Sequence, residues 1–345
     1  MQISKILIPS AIALLMGTAL IGCGPKGGES TEGTTGSTSG SSEKVSGELN
    51  IEGSGTVFPI AAAMTELFNG ENPDVKVTVG KKGTGAGMEV FAKGESDIAD
   101  ASRPIKDKEI KALEDAGIEF IEMPIAYDGL CIVVSKENTW LQSITIDQLH
   151  KMWDANSTVK KWNEIDPSWP DAPLNLYGPT DAHGTFEYFN ETVNGDGENT
   201  RQDYSQQAEY DPLIAGVAGD ANALGYVGYA YVEQNLDKVR VVAVDGGNGP
   251  VEPNGDTILN GSYAPFSRPL MMYINKSKME SNPALKAFVN FALGPNAPEA
   301  IRASGYIPMP QETVDIVKAW VEGGNTGSKL SGAKGATLND LFGAH

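Results

Sequence analysis

Gly53-Ser54-Gly55-Thr56, Gly83-Thr84-Gly85-Ala86-Gly87 and Asp181-Ala182-His183-Gly184-Thr185 decide the reading of this chain. Each places glycine and hydroxyl residues where a helical pattern should begin. A helix N-terminus offers unpaired backbone N–H groups and a partial positive charge, so it attracts anions. Glycine lets the backbone come close to a ligand, and Ser or Thr adds a hydroxyl donor. One such start is common. Three of them imply several helix ends converging on one oxyanion.

The flanking sequence supplies the elements. Residues 49–52, 75–79, 97–101, 118–125 and 130–135 read as strands. Residues 56–68, about 87–93 and 107–115 read as helices. This alternation predicts an α/β fold with a parallel-rich sheet, whose ligands sit at the C-terminal ends of strands. A second unit begins after Ser135. Its helices are expected over 144–153, 185–192 and 210–218, and its strands over 174–177, 224–229 and 239–244. Residues 268–275 return to strand, followed by helices over 283–293, 298–303 and 311–321. The pattern predicts two α/β lobes with a ligand cleft between them. Residues 47–135 plus 266–345 form the outer lobe, and 136–265 are an inserted inner lobe. Two chain crossings then make a hinge.

The chain has 345 residues, of which 40% are hydrophobic, and its formal net charge is −19. Such an acid excess argues against nucleic acid or an anionic membrane surface as partner. An anion would have to be held by local dipoles and a few arginines. Residues 1–22 read as a signal peptide: Lys5 is the only charge, 6–21 are largely apolar, and Leu20-Ile21-Gly22-Cys23 matches a lipobox. Cleavage before Cys23 and lipidation of its thiol are expected. Residues 23–46 are a flexible tether. The folded part is therefore expected in the cell envelope, lipid-anchored on the outer side of the cytoplasmic membrane or in the periplasm. Cys131 lies in an apolar run and reads as a buried, inert thiol. With only three histidines and no nucleophile elbow, no catalytic residue, metal site or cofactor is expected.

Ile51-Glu52-Gly53-Ser54-Gly55-Thr56-Val57-Phe58-Pro59 resembles the opening motif of the PstS family, the phosphate-binding proteins of ABC transporters. Gly83–Gly87, Ala101-Ser102-Arg103-Pro104-Ile105, Ala126-Tyr127-Asp128-Gly129-Leu130, Asp181–Thr185 and Leu224-Gly225-Tyr226-Val227-Gly228-Tyr229 resemble its later motifs in the right order. The resemblance implies a two-lobed periplasmic-binding-protein fold that captures inorganic phosphate and delivers it to a membrane permease. It implies phosphate contacts from Thr56, the Val57 N–H, Thr84, Ser102, Arg103, Gly184 and Thr185. This chain departs from the family in having His183 where a serine is frequent. It also has Pro179 where an arginine can stand, so Arg103 or Arg201 is expected to supply the charge.

Asp128 is informative on chemical grounds. A carboxylate in an anion site is repulsive unless the anion carries a proton. Phosphate near neutral pH carries one, and sulfate carries none. Asp128 is therefore expected to accept a hydrogen bond from the phosphate proton, with Asp181 and Asp100 as rivals. His183 is expected to donate from a ring nitrogen. The competing readings are another tetrahedral oxyanion, such as sulfate or molybdate, and a phosphoester hydrolase. The protein is expected to act as a monomer.

Overall fold

A computed structural model of the protein describes residues 44–343 apart from 182, 196, 198, 334 and 335. The expected signal peptide, Cys23 and nearly all of the tether lie outside the described residues. Among the described residues no helix is long and apolar enough to cross a membrane.

Strand β1 (Gly47–Gly53) turns Leu49 and Ile51 into the core and leaves Glu48 and Asn50 exposed. It lies between β2 (Val75–Val79) and β3 (Ile98–Ala101), parallel to both. Parallel neighbours need crossovers. Helices α1 (Phe58–Glu71) and α2 (Thr84–Ala92) provide them, and α3 (Asp107–Asp115) leads on to β4 (Phe120–Ser135). The first helical turn of α1 contains Pro59, whose missing N–H costs nothing there.

The next strands are β5 (Ser143–Thr145), β6 (Asn175–Pro179), β7 (Ser205–Gln207), β8 (Ala223–Gly228), β9 (Val239–Asp245) and β10 (Pro250–Val251). Between them lie helices α4 (Ile146–Trp153), α5 (Gly184–Asn194) and α6 (Tyr210–Ala218). Strands β11 (Ser267–Asn275) and β12 (Ile307–Pro308) complete a 12-stranded sheet. One half runs β2-β1-β3-β11-β4, and the other continues from β4 through β8 and β6 to β7.

Strand β4 joins the halves. All 16 of its residues are buried. From Phe120 to Gly129 it pairs with β11, from Leu130 with β8 on one side, and from Ile132 with β9 on the other. Two strands were expected here, separated by the polar Tyr127-Asp128-Gly129. The ladder instead runs through: Gly129 pairs with Ser267, and the Leu130 N–H donates to the Phe266 carbonyl at 3.0 Å. The expected parallel-rich sheet is in fact mixed, because β11 is antiparallel to both β3 and β4. A strand also precedes α4 where helix was expected from 144. Thr145 is the reason: its hydroxyl accepts from the Gln148 N–H, and the Gln148 side chain accepts from the Thr145 N–H.

Aromatic packing seats α4 and α5 on β8. Phe189 stacks on Tyr226 with ring centroids 3.9 Å apart, and Trp153 meets both rings edge-on. This holds the α5 N-terminus toward β1.

Asp100 on β3 is fully buried, and neither carboxyl oxygen has a hydrogen-bond partner among the described residues. Burial, helped by the nearby Glu52 charge, holds its pKa well above the ordinary 3.8. The folded state keeps a proton that the unfolded chain releases. The stability tied to that proton is full below the unfolded pKa and is lost as pH rises through the raised folded value. Asp100→Asn should therefore gain stability over the native chain as pH is raised from about 4 to about 8. Parallel stability curves for the two proteins, measured by denaturant unfolding over that range, would contradict this.

Candidate anion-binding site

The three helix starts converge. Gly53 ends β1 with φ +151°, and a Cβ there would lie 2.2 Å from the Asp100 carbonyl oxygen. Only glycine lets β1 and β3 end so close together. In the following turn, the Ser54 hydroxyl accepts from the Thr56 N–H at 3.1 Å and the Val57 N–H at 3.4 Å. Thr56 is 1% exposed. The α2 start sits on the same point: a Cβ on Gly87 would be 2.4 Å from the Gly53 Cα. Within this corner Thr84 Oγ1 and Ser102 Oγ are 3.3 Å apart, and the Ser102 N–H points at Thr84 Oγ1.

The α5 start arrives from the other half of the sheet. A Cβ on Gly184 would be 2.6 Å from Thr56 Oγ1 and 2.9 Å from the Thr56 Cα. The backbones of two helix starts, one from each half, therefore touch. Thr185 follows, 7% exposed, with its hydroxyl 2.6 Å from the Tyr210 hydroxyl. A cleft of about 610 Å³ opens here, lined among others by Asp128, Asp181, His183, Gly184, Thr185 and Tyr306.

Asp128 lies at the point where β4 changes partners. Arg268 faces it in register on β11, with Nε at 3.2 Å and Nη2 at 3.1 Å from Asp128 Oδ2. The same Nη2 lies 3.4 Å from Thr56 Oγ1, and the guanidinium stacks 3.5 Å from the centroid of the Tyr188 ring on α5. Burial pushes the Asp128 pKa up, and Arg268 pulls it back. Arg268 was not foreseen. The available signal was an arginine opening an otherwise apolar strand, a charge that burial obliges to find a partner.

The two arginines that were foreseen are differently engaged. Arg103 lays its fork on Glu109 of α3, at 2.9 and 2.7 Å, and also donates to the Pro104 carbonyl. Its guanidinium reaches to within 3.9 Å of a Cβ position on Gly85. Arg201 corrects the expectation of a charge for the cleft. It donates to the Met152 and Val159 carbonyls and pairs with Asp203, and it lines a different depression beside Lys160 and Tyr177. Asp203, two residues on, captures it locally and is itself held well below the usual carboxylate range.

Asp181 is exposed at the cleft mouth. His183 directs Nε2 at the Ala208 carbonyl, so that nitrogen carries the hydrogen and Nδ1 of the neutral ring is an acceptor. That hydrogen is spent on the carbonyl, which removes Nε2 as the anion donor expected of His183. Cys131 is fully buried. Among the described residues no group of three or more His, Cys, Asp or Glu is placed to hold a metal ion.

Residues 37–296 match the PBP superfamily domain. Protein SphX of Synechocystis sp. is 39% identical over 291 residues, covering 84% of this chain and 86% of that protein. The chain belongs to the PstS family of phosphate-binding proteins within the PBP superfamily. PstS of Staphylococcus epidermidis is 36% identical over 309 residues, covering 87% of this chain and 90% of its own. A crystal structure described as a possible phosphate binding protein from Planctomyces limnophilus superposes with a TM-score of 0.79 at 38% identity. It covers 81% of this chain and 99% of its own. The PstS family and this fold are those of substrate-binding proteins, not of enzymes.

Arg201 should behave as a structural residue. Arg201→Met leaves two buried carbonyls without their donor and should cost roughly 2 kcal/mol in denaturant unfolding. A variant as stable as the native chain would show that these contacts hold nothing together.

Proposed function

We propose that this chain captures inorganic phosphate between two lobes, residues 47–135 plus 266–345 and residues 136–265, and delivers it to an ABC transporter permease. A lipidated Cys23 and the tether of residues 23–46 hold it to the outer side of the membrane. Relatives named phosphate-binding protein PstS support the ligand. A single observation carries the reading: Gly184 lies against Thr56, so helix starts from both halves meet beside the buried Arg268–Asp128 pair.

In this reading phosphate receives N–H and O–H donors from the α1, α2 and α5 starts. Thr56, Val57, Thr84, Ser102, Gly184 and Thr185 supply them. Arg268 provides the positive charge, with Arg103 supporting from the α2 side. Asp128 accepts a hydrogen bond from the proton that phosphate carries. Arg268 engages only Oδ2, so Oδ1 keeps lone pairs to spare. Opposite sulfate the same oxygen would meet unprotonated oxygen, a like charge with no compensating hydrogen bond. Asp181 stays at the rim.

Isothermal titration of the purified protein with phosphate and sulfate at neutral pH tests this. Phosphate should bind at least about 100-fold more tightly, since a lost hydrogen bond to a charged group and an unpaired like charge add to more than 2.7 kcal/mol. Comparable affinities would overturn the protonation argument. Gly184→Ala tests the meeting of the helix starts. Its methyl cannot fit against Thr56, so phosphate affinity should fall by about tenfold or more, because interiors and closed contacts tolerate no such overlap. Unchanged affinity would mean that phosphate is held without this contact.

A further inference from the structure

Thr185 is useful to an anion only if its single hydroxyl hydrogen points into the cleft. An alcohol can equally turn that hydrogen back on a carbonyl of the preceding turn. Something has to decide the direction, and the neighbour in contact is Tyr210, the first residue of α6. The two hydroxyl oxygens are 2.6 Å apart, a distance at which one hydrogen lies between them.

Three observations assign that hydrogen. First, the Tyr210 oxygen is the poorer acceptor of the two. One lone pair of a phenol oxygen is delocalised into the ring, so the Thr185 hydrogen finds little there. Second, a phenol is a better donor than an aliphatic alcohol. Burial pushes the Tyr210 pKa up to about 12, so the hydroxyl keeps its hydrogen throughout the physiological range. Third, the ring cannot swing away. It packs against His183, with centroids 4.9 Å apart, and against Tyr231 at 5.2 Å. His183 is in turn tied to the Ala208 carbonyl, two residues before Tyr210.

We infer that Tyr210 is a positioning residue: it donates to Thr185 Oγ1 and so forces the Thr185 hydrogen outward, toward the bound anion. The chain of donors runs Tyr210 O–H, Thr185 O–H, ligand. Each link polarises the next, so the last donor is stronger than an isolated threonine. The inference rests on the reading of this cleft as a phosphate site with Thr185 as a ligand. Tyr210 itself need not touch phosphate.

The test is a set of phosphate titrations by calorimetry on the purified native protein and on Tyr210→Phe, Thr185→Val, Thr185→Ser and the two combinations with Tyr210→Phe. Phe keeps the ring and its packing, and thermal unfolding midpoints check that each variant is folded. Thr185→Val should weaken phosphate binding by about tenfold or more, as loss of a donor to a charged ligand does. Tyr210→Phe should weaken it by about fivefold to tenfold in the native and Thr185→Ser backgrounds. In the Thr185→Val background, Tyr210→Phe should cause no further loss, because there is no hydroxyl left to orient. An equal loss in the Val and Ser backgrounds would show that Tyr210 acts through packing alone and would overturn the inference. So would a Tyr210→Phe protein that binds as the native one does. Native affinity in Thr185→Val would instead remove Thr185 from the site, and the positioning role with it.

Discussion

Two opposite charges, buried and in register on neighbouring strands, organise this protein. Arg268 and Asp128 are 12% and 5% exposed at their side chains, and either alone would carry a large desolvation penalty. Each therefore requires the other, which ties the start of β11 to the middle of β4. The flat face of the guanidinium lies on Tyr188, so α5 is drawn to the same point. Its remaining reach extends to Thr56 at the α1 start. A strand crossing, a helix from each half and the cleft all depend on where this one pair sits.

The arrangement also reconciles an acidic protein with an anion. A formal charge of −19 cannot attract a phosphate from a distance. Even the mouth of the cleft carries Asp181 and Glu187, with Lys81 as a nearby cation. On the proposed reading, attraction acts at short range, through the amide and hydroxyl groups at the helix starts. Glycines at 53, 87 and 184 serve that purpose by removing side chains where backbones must approach within a methyl's width. Donors held in place by the fold are worth more than mobile ones, since little reorganisation accompanies binding.

Much of this was legible in the order of residues, and the reasons are local. Helix starts advertise themselves through glycine, hydroxyl and proline within a few positions, so Thr56, Thr84 and Thr185 could be singled out. Residues 75–79, 107–115 and 210–218 carry patterns strong enough to place their elements to the residue. The cationic partner was not legible, because Arg268 and Asp128 are separated by 140 positions and only strand pairing unites them. Arg103 and Arg201 looked more available than they are. Each has a carboxylate close behind it, Glu109 and Asp203, and a near carboxylate captures a guanidinium before a distant cleft can. The continuity of β4 was hidden for a related reason: Asp128-Gly129 has the composition of a turn, and its partners Arg268 and Ser267 on β11 keep it extended.

Glu122, six positions before Asp128 on β4, sets the limits of the folding unit. It is wholly buried, and its carboxylate is received by the Tyr273 and Ser328 hydroxyls and by the Lys329 and Leu330 backbone N–H groups. Three of those four donors come from a segment beyond residue 296, where the match to the superfamily domain stops. A chain shortened to that boundary would leave an ionisable group stranded in the central strand with a single donor. The autonomous folding piece is thus longer than the recognisable domain, and its tail is a structural fastening of the strand that bears Asp128.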